Sequence, residues 1–168
     1  MLDYYRENLN AITRKIHGKD QVVTVIAAIR MMLDTHRKSL SGYHKYAQTE
    51  ESLPIFEHYL ITQTQGIIMK QVRYLGTLES LLMLIEEEIS DAAEREIYDN
   101  LIRSQLTTYE AKFIFFQCLA SKPIGKFQRL IHTSKLLDER IGDMDISKPI
   151  LRVYAKYQDY SYEKRKNK

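Results

Sequence analysis

Apolar residues recur every three or four positions along almost the whole chain, and this period constrains the fold more than any other sequence feature. The clearest case is an amphipathic stripe formed by Leu2, Tyr5, Leu9, Ile12 and Ile16. Only six glycines and three prolines, the residues that most readily break helices, interrupt the 168 residues. The pattern predicts helices over residues 2–16, 21–39, 55–89, 90–121, 125–137 and 147–157.

These helices predict an all-α fold, a single-domain helical bundle of about five to seven helices with one or two long central helices. The bundle is expected to span residues 1–158, and residues 159–168 are expected to form a basic, frayed tail. The β-branched segment Val22–Ile29 would also suit a strand. Helix is favoured there because Ile29 and Met32 continue the apolar stripe.

Charge is distributed unevenly along a chain whose net charge is +3. Residues 49–100 hold three Lys/Arg against eleven Asp/Glu, whereas residues 150–168 hold six against two. A dedicated duplex-DNA binder is expected to carry a broad basic face, which this acidic middle does not suit. No apolar run approaches the roughly eighteen residues that cross a bilayer, and the charged first residues lack the apolar core of a signal peptide. The sequence therefore predicts a cytoplasmic protein with no membrane span.

Residue types that carry chemistry are few and poorly spaced. No two of the five histidines lie three or four residues apart, so the helical spacing typical of metal ligands is missing. Cys118 lies in an apolar stretch, where a small buried side chain is expected rather than a nucleophile. Glycine-rich phosphate loops and nucleophile elbows are absent from the sequence. We therefore predict no metal, no cofactor and no catalytic residue, and favour a binding protein over an enzyme.

The most unusual segment surrounds Arg103. On a continuous helix over residues 90–121, Arg103 and Glu110 would share one face with Leu106 and Phe113. Such a half-buried pair would need further hydrogen-bond partners, since burying charges is costly. Two interpretations stay open, a structural polar network that sets the register of the bundle and a binding pocket on the same face.

The segments Ile102–Glu110 and Phe115–Leu119 also resemble the phage abortive infection proteins of bacteria, in which Arg-(Ala/Ser)-Gln-Leu-(Ser/Thr)-x-x-Glu precedes an aromatic run. Tyr4–Asn8, Gly18–Asp20 and Phe56–Leu60 are similar to other parts of that family. The resemblance implies a role in antiviral defence and brings no established catalytic residues. Many relatives carry membrane helices ahead of this domain, which this sequence does not predict.

The first functional hypothesis is a helical domain of bacterial antiviral defence that binds or senses a protein of the phage or the host. The alternatives are a nucleic-acid-binding regulator that uses the basic N-terminal segment and tail, and a toxin-type nuclease that uses Arg103, Glu110 and a histidine. The oligomeric state stays open, a homodimer included. The candidate residues of the binding or structural network are Arg103, Gln105, Tyr109, Glu110, His58 and Tyr59.

Overall fold

The computed structural model describes residues 12–16, 19–23, 25–68, 72–120 and 125–156. A hairpin of β1 (Ile12–Ile16) and β2 (Lys19–Val23) precedes the helices. The α-helices are α1 (Val25–Leu40), α2 (Leu53–Ile68), α3 (Val72–Glu88), α4 (Ala92–Gln105), α5 (Thr108–Ala120), α6 (Lys126–Thr133) and α7 (residues 148–156). Two 3₁₀ helices lie at Ser41–Ala47 and Ile141–Met144. The prediction of an all-α helical bundle is confirmed, with the hairpin as an addition.

The hairpin corrects the sequence prediction at its N-terminal end. Strands β1 and β2 pair antiparallel, with Ile12 opposite Val23 and Ile16 opposite Lys19. The predicted helix over residues 2–16 is therefore wrong at 12–16, its earlier residues lie outside those described, and the next helix begins at Val25 rather than at residue 21. The physical reason is that β-branched residues in both strands favour extended backbone, while Gly18 between two such runs is also a hairpin signal.

The predicted continuous helix over residues 90–121 is also wrong, because it is divided into α4 and α5. Leu106 ends α4 with extended backbone, φ −72° and ψ 133°. Thr107 then starts α5 through a reciprocal cap: its backbone N–H donates to Glu110 Oε2 at 2.8 Å, and the Glu110 N–H donates to Thr107 Oγ1 at 3.2 Å. This capping box satisfies two of the backbone donors that a new helix leaves free.

Residues 55–89 were predicted as one helix through two glycines. Gly66 lies inside α2 and Gly76 inside α3, and a methyl group at either position would meet open space. The predicted continuity depends on residues 69–71, which lie outside the described residues. The helix predicted over 125–137 ends at Thr133, and the helix predicted over 147–157 is described from 148 to 156.

Helix α5 occupies the centre of the bundle. It contacts α1, α2 and the second 3₁₀ helix, and its Phe115 ring lies 4.5 Å from that of Tyr154 in α7. Its buried side chains lie on all sides of the helix, as expected of a helix surrounded by others. They are Ala111, Phe113, Ile114, Phe115, Phe116, Cys118, Leu119 and Ala120.

Helices α3, α4 and α6 form the other part of the bundle. Helix α3 contacts both α4 and α6. Arg129 of α6 donates from both terminal nitrogens to the Glu86 carboxylate of α3, at 2.6 and 2.8 Å. Such a two-point pair fixes orientation as well as distance. Helix α3 is the main neighbour of α4, which therefore lies at the edge of the bundle.

Candidate functional site at the junction of α4 and α5

Arg103 lies in the last turn of α4, with 11% of its side chain exposed. Its Nη1 donates to Asn100 Oδ1 at 2.7 Å, and its Nη2 donates to the carbonyl of Ser134 at 3.1 Å. The carboxylates of Glu96 and Glu139 lie 3.9 Å from its terminal nitrogens. Arg103 therefore connects α4 to the turn that follows α6.

Arg140 makes the corresponding bond in the other direction. Its Nη1 donates to the carbonyl of Leu106, where α4 ends, at 2.6 Å. Ser134, whose carbonyl Arg103 binds, is the C-cap residue of α6. Arg103 of α4 thus binds the carbonyl at the end of α6, and Arg140, which follows α6, binds the carbonyl at the end of α4. We call Arg103, Arg140, Leu106 and Ser134 the two-arginine junction. Cations are favourable there because the C-terminal carbonyls of a helix carry partial negative charge.

The predicted placement of Arg103 and Glu110 on one helix face is wrong. The break after Leu106 places the two residues on different helices, with Glu110 in the cap of α5. The Thr107 hydroxyl also donates to Glu110 Oε2, at 2.8 Å. The carboxylates near Arg103 are instead those of Glu96 and Glu139.

The other four predicted residues are divided between this junction and α2. Gln105 is the exposed last residue of α4, and Tyr109 lies in the first turn of α5 with the guanidinium of Arg30 5.5 Å from its ring centre. His58 is exposed on α2, with its ring edge-on to Tyr59 at 6.0 Å. Tyr59 in turn stacks on Tyr43 of the first 3₁₀ helix at 3.9 Å. The ring contacts of His58 and Tyr59 therefore belong to a separate aromatic cluster.

Asp99 is the buried carboxyl group of α4, with 5% of the residue exposed. Burial raises its pKa, and the nearby charge of Glu96 raises it further, while Arg103 and Arg95 oppose the shift. The guanidinium of Arg95 donates through two nitrogens to the carbonyl of Ile89, at 3.2 and 2.6 Å. Both arginines of α4 are therefore occupied by backbone carbonyls of the bundle.

Two buried titratable groups, Cys118 and His36, lie elsewhere in the bundle. Burial raises the pKa of the Cys118 thiol to about 12, so the thiol stays protonated, as expected for a small core side chain. His36 is buried, and its Nε2 lies 2.8 Å from the hydroxyl of Thr64. Burial, assisted by the charge of Lys112, lowers the pKa of His36 to about 4, so the ring is neutral at neutral pH.

A cleft of about 320 Å³ lies beside the two-arginine junction. It is lined by Thr108, Ala111, Glu139, Arg140, Asp143 and Met144. The nuclease hypothesis uses Arg103, Glu110 and a histidine, and none of these residues lines this cleft. Among the side chains that the structure describes, no group of three His, Cys, Asp or Glu is arranged to hold a metal ion.

Sequence reasoning missed one feature of α4, its outer face. Ile97 is 65% exposed, Leu101 47% and Tyr98 40%, whereas the buried side chains of the helix are Asp99 and Ile102. We call the exposed set Ile97, Tyr98 and Leu101 the α4 outer face. Its signal in the sequence was the four-residue spacing of Ile97 and Leu101 within an acidic helix.

Within the described ranges, each helix is too short or too polar to cross a lipid bilayer. Neither a curated protein nor a solved structure gives a significant match to the chain. A family described as "Putative phage abortive infection protein" does match, over residues 71–143. That range contains α3 to α6, the two-arginine junction and the α4 outer face. The resemblance predicted from the segment around Arg103 is thus confirmed, and residues 71–143 are similar to the phage abortive infection family.

Proposed function

We propose that this helical domain acts in bacterial defence against phage by binding a protein component of the phage or the host in the cytoplasm. The family match over residues 71–143 supports the defence role. An exposed apolar surface of the same segment supports the binding mechanism.

The observation that carries the proposal is the α4 outer face. Helix α4 exposes Ile97, Tyr98 and Leu101, while Ile102 is the large apolar side chain that it buries. Exposed apolar side chains that are grouped on one surface are typical of protein-binding sites. Tyrosine, here Tyr98, is among the residue types that most often supply a large share of the binding energy at such sites.

In this proposal the two-arginine junction positions α4 instead of contacting the partner. Arg103 and Arg140 connect the end of α4 to residues 134–140, so the helix is held in one orientation before a partner arrives. A surface that is already ordered loses less conformational entropy on binding. Glu110 contributes indirectly through the cap of α5, and Gln105 and Tyr109 border the junction. His58 and Tyr59 form a separate aromatic surface on α2.

Phage challenge of bacteria that express the full chain tests the defence role. Cells with the gene are expected to yield fewer plaques than cells with an empty vector, across a panel of phages that infect the host. The double variant Ile97→Ser/Leu101→Ser should lose that protection at an unchanged protein level. The matched control is Ile55→Ser on α2, since Ile55 is also 45% exposed and should be dispensable. If the intact gene leaves plaque numbers unchanged for every phage, the proposed function is wrong.

A further inference from the structure

We propose that the α4 outer face is a docking surface for a cationic amphipathic helix of a partner protein. This inference rests on the proposed function, because it names the chemistry of the partner which that function requires. It depends on three properties of α4: its exposed apolar residues, the charge around them and the anchoring of both helix ends.

The apolar part of the surface has the spacing that another helix can use. Ile97 and Leu101 are four residues apart, so they lie one turn apart on the same side of α4. Tyr98 borders them and adds a ring that is 40% exposed. An amphipathic helix presents apolar residues at the same spacing, and helix-in-groove recognition uses such contacts.

The charge on α4 favours a basic partner. Residues 91–105, which comprise α4 and its N-terminal cap, carry four Asp/Glu against two Lys/Arg. The two basic residues, Arg95 and Arg103, are directed to the carbonyls of Ile89 and Ser134. Glu94 is exposed and lies three residues before Ile97, on the same side of the helix. A cationic partner is therefore complementary to the surface.

The same charge argues against two other occupants. A second copy of the chain that used this face would place one acidic helix against another, and like charges in an interface are costly. An anionic membrane surface would repel the acidic helix in the same way, since interfacial helices that bind such membranes are rich in Lys and Arg. A cationic helix meets the apolar face without either penalty.

Both ends of α4 are anchored, so the surface exists before binding. The Asp91 side chain accepts a 2.8 Å hydrogen bond from the backbone N–H of Glu94 and caps the first turn. Arg103 and Arg140 hold the last turn. A partner helix would therefore meet a helix that needs no reordering.

Fluorescence anisotropy with the full chain tests this inference. The probe is a labelled synthetic amphipathic helix of leucine and lysine, and the comparison peptide has glutamate in place of every lysine. The lysine peptide is expected to bind and the glutamate peptide is not. Ile97→Ser/Leu101→Ser should weaken the affinity by about tenfold or more, as removal of central apolar contacts does. Glu94→Gln should weaken it less and reduce its dependence on salt.

Two matched variants, one on α2 and one just before it, serve as controls. Ile55→Ser removes an exposed isoleucine, and Glu51→Gln removes an exposed carboxylate away from α4. Both should bind the lysine peptide as the unchanged chain does. Equal weakening by the control variants and the α4 variants, or equal binding of both peptides, would overturn the inference. Two other results would also overturn it. If the sedimentation mass falls only in the Ile97→Ser/Leu101→Ser variant, the occupant is a second copy of the chain. If binding to anionic vesicles weakens only in that variant, the occupant is a membrane.

The peptide titration and the phage challenge fail independently. Loss of specific peptide binding, with phage protection intact, would overturn the docking surface and leave the defence role standing. Absence of protection, with specific peptide binding intact, would overturn the defence role and leave the surface standing.

Discussion

The guanidinium of Arg140 donates a 2.6 Å hydrogen bond to the carbonyl of Leu106, 34 residues earlier in the chain. Leu106 lies at the break between α4 and α5, where its carbonyl has no following turn of α4 to accept from. Arg103 makes the corresponding bond to Ser134. Together these bonds explain how a break in the middle of the family-matched segment is kept in a defined geometry.

Arg140→Met should destabilise the protein by about 1–3 kcal/mol, because it leaves the half-buried carbonyl of Leu106 without its charged donor. Urea unfolding followed by circular dichroism measures the change. Arg152→Met is the matched control, since Arg152 pairs with Glu50 on the exposed surface. That pair should contribute less than about 1 kcal/mol. Equal losses in the two variants would mean that the Leu106 contact has no special structural role.

Thr107→Ala and Glu110→Ala should each lower the free energy of unfolding by about 0.5–2 kcal/mol, the usual range for loss of a helix cap. The two residues share the same reciprocal hydrogen bonds. The double variant should therefore lose clearly less than the sum of the single variants. Strict additivity in a double-mutant cycle would contradict the capping box.

His36 should make the stability depend on pH between its two pKa values. Its pKa is about 4 in the folded protein against 6.5 for the free side chain, so the unfolded chain binds more protons in this interval. The stabilisation is present above about pH 6.5 and is lost as the pH falls toward 4. From about pH 7.5 to about pH 5 the loss is about 2 kcal/mol.

The Thr64 hydroxyl donates to the Leu60 carbonyl at 2.6 Å, so it accepts from Nε2–H of the neutral His36 ring. His36→Gln, which has no titrating group, should therefore flatten the pH dependence of urea unfolding in this interval. If the slopes of the unchanged protein and the variant are the same, His36 is not the source of the dependence.

Cys118 should react with a thiol reagent only when the protein unfolds. Its side chain is buried, and its raised pKa, about 12, leaves almost no thiolate at neutral pH. The reaction rate in native buffer should follow the unfolding rate, and full reaction is expected in guanidinium chloride. Rapid labelling of the folded protein would show that the thiol is accessible.

The sequence was sufficient to predict the helical bundle, because a stripe of period 3.6 depends only on neighbouring residues. The sequence was insufficient at the α4–α5 break, because Leu106 and Phe113 continue the apolar stripe across it. That stripe outweighed the Thr-x-x-Glu pattern of Thr107 and Glu110, which indicates the start of a new helix. The hairpin was missed because Ile12 and Ile16 fit a helical spacing as well as an alternating one.

The candidate site was predicted less well than the fold. Arg103 was singled out from the sequence as an unusual residue, but its bond to Ser134 joins positions 31 residues apart. Such a contact depends on how α4 and α6 pack, which the pattern within either helix does not specify. The α4 outer face was missed for a related reason: Ile97 and Ile102 have the same residue type, and their exposures of 65% and 5% are decided by neighbouring helices.

The two-arginine junction also affects how this part of the molecule opens to solvent. The loop at Leu106 and the turn after Ser134 hold each other through two separate hydrogen bonds. Separating the loop from the turn breaks both hydrogen bonds. The free energy of opening either segment alone is therefore higher than that of an ordinary loop. Backbone amides near residues 106 and 134 should therefore exchange their hydrogens with deuterated water in one concerted event, although they are far apart in the chain.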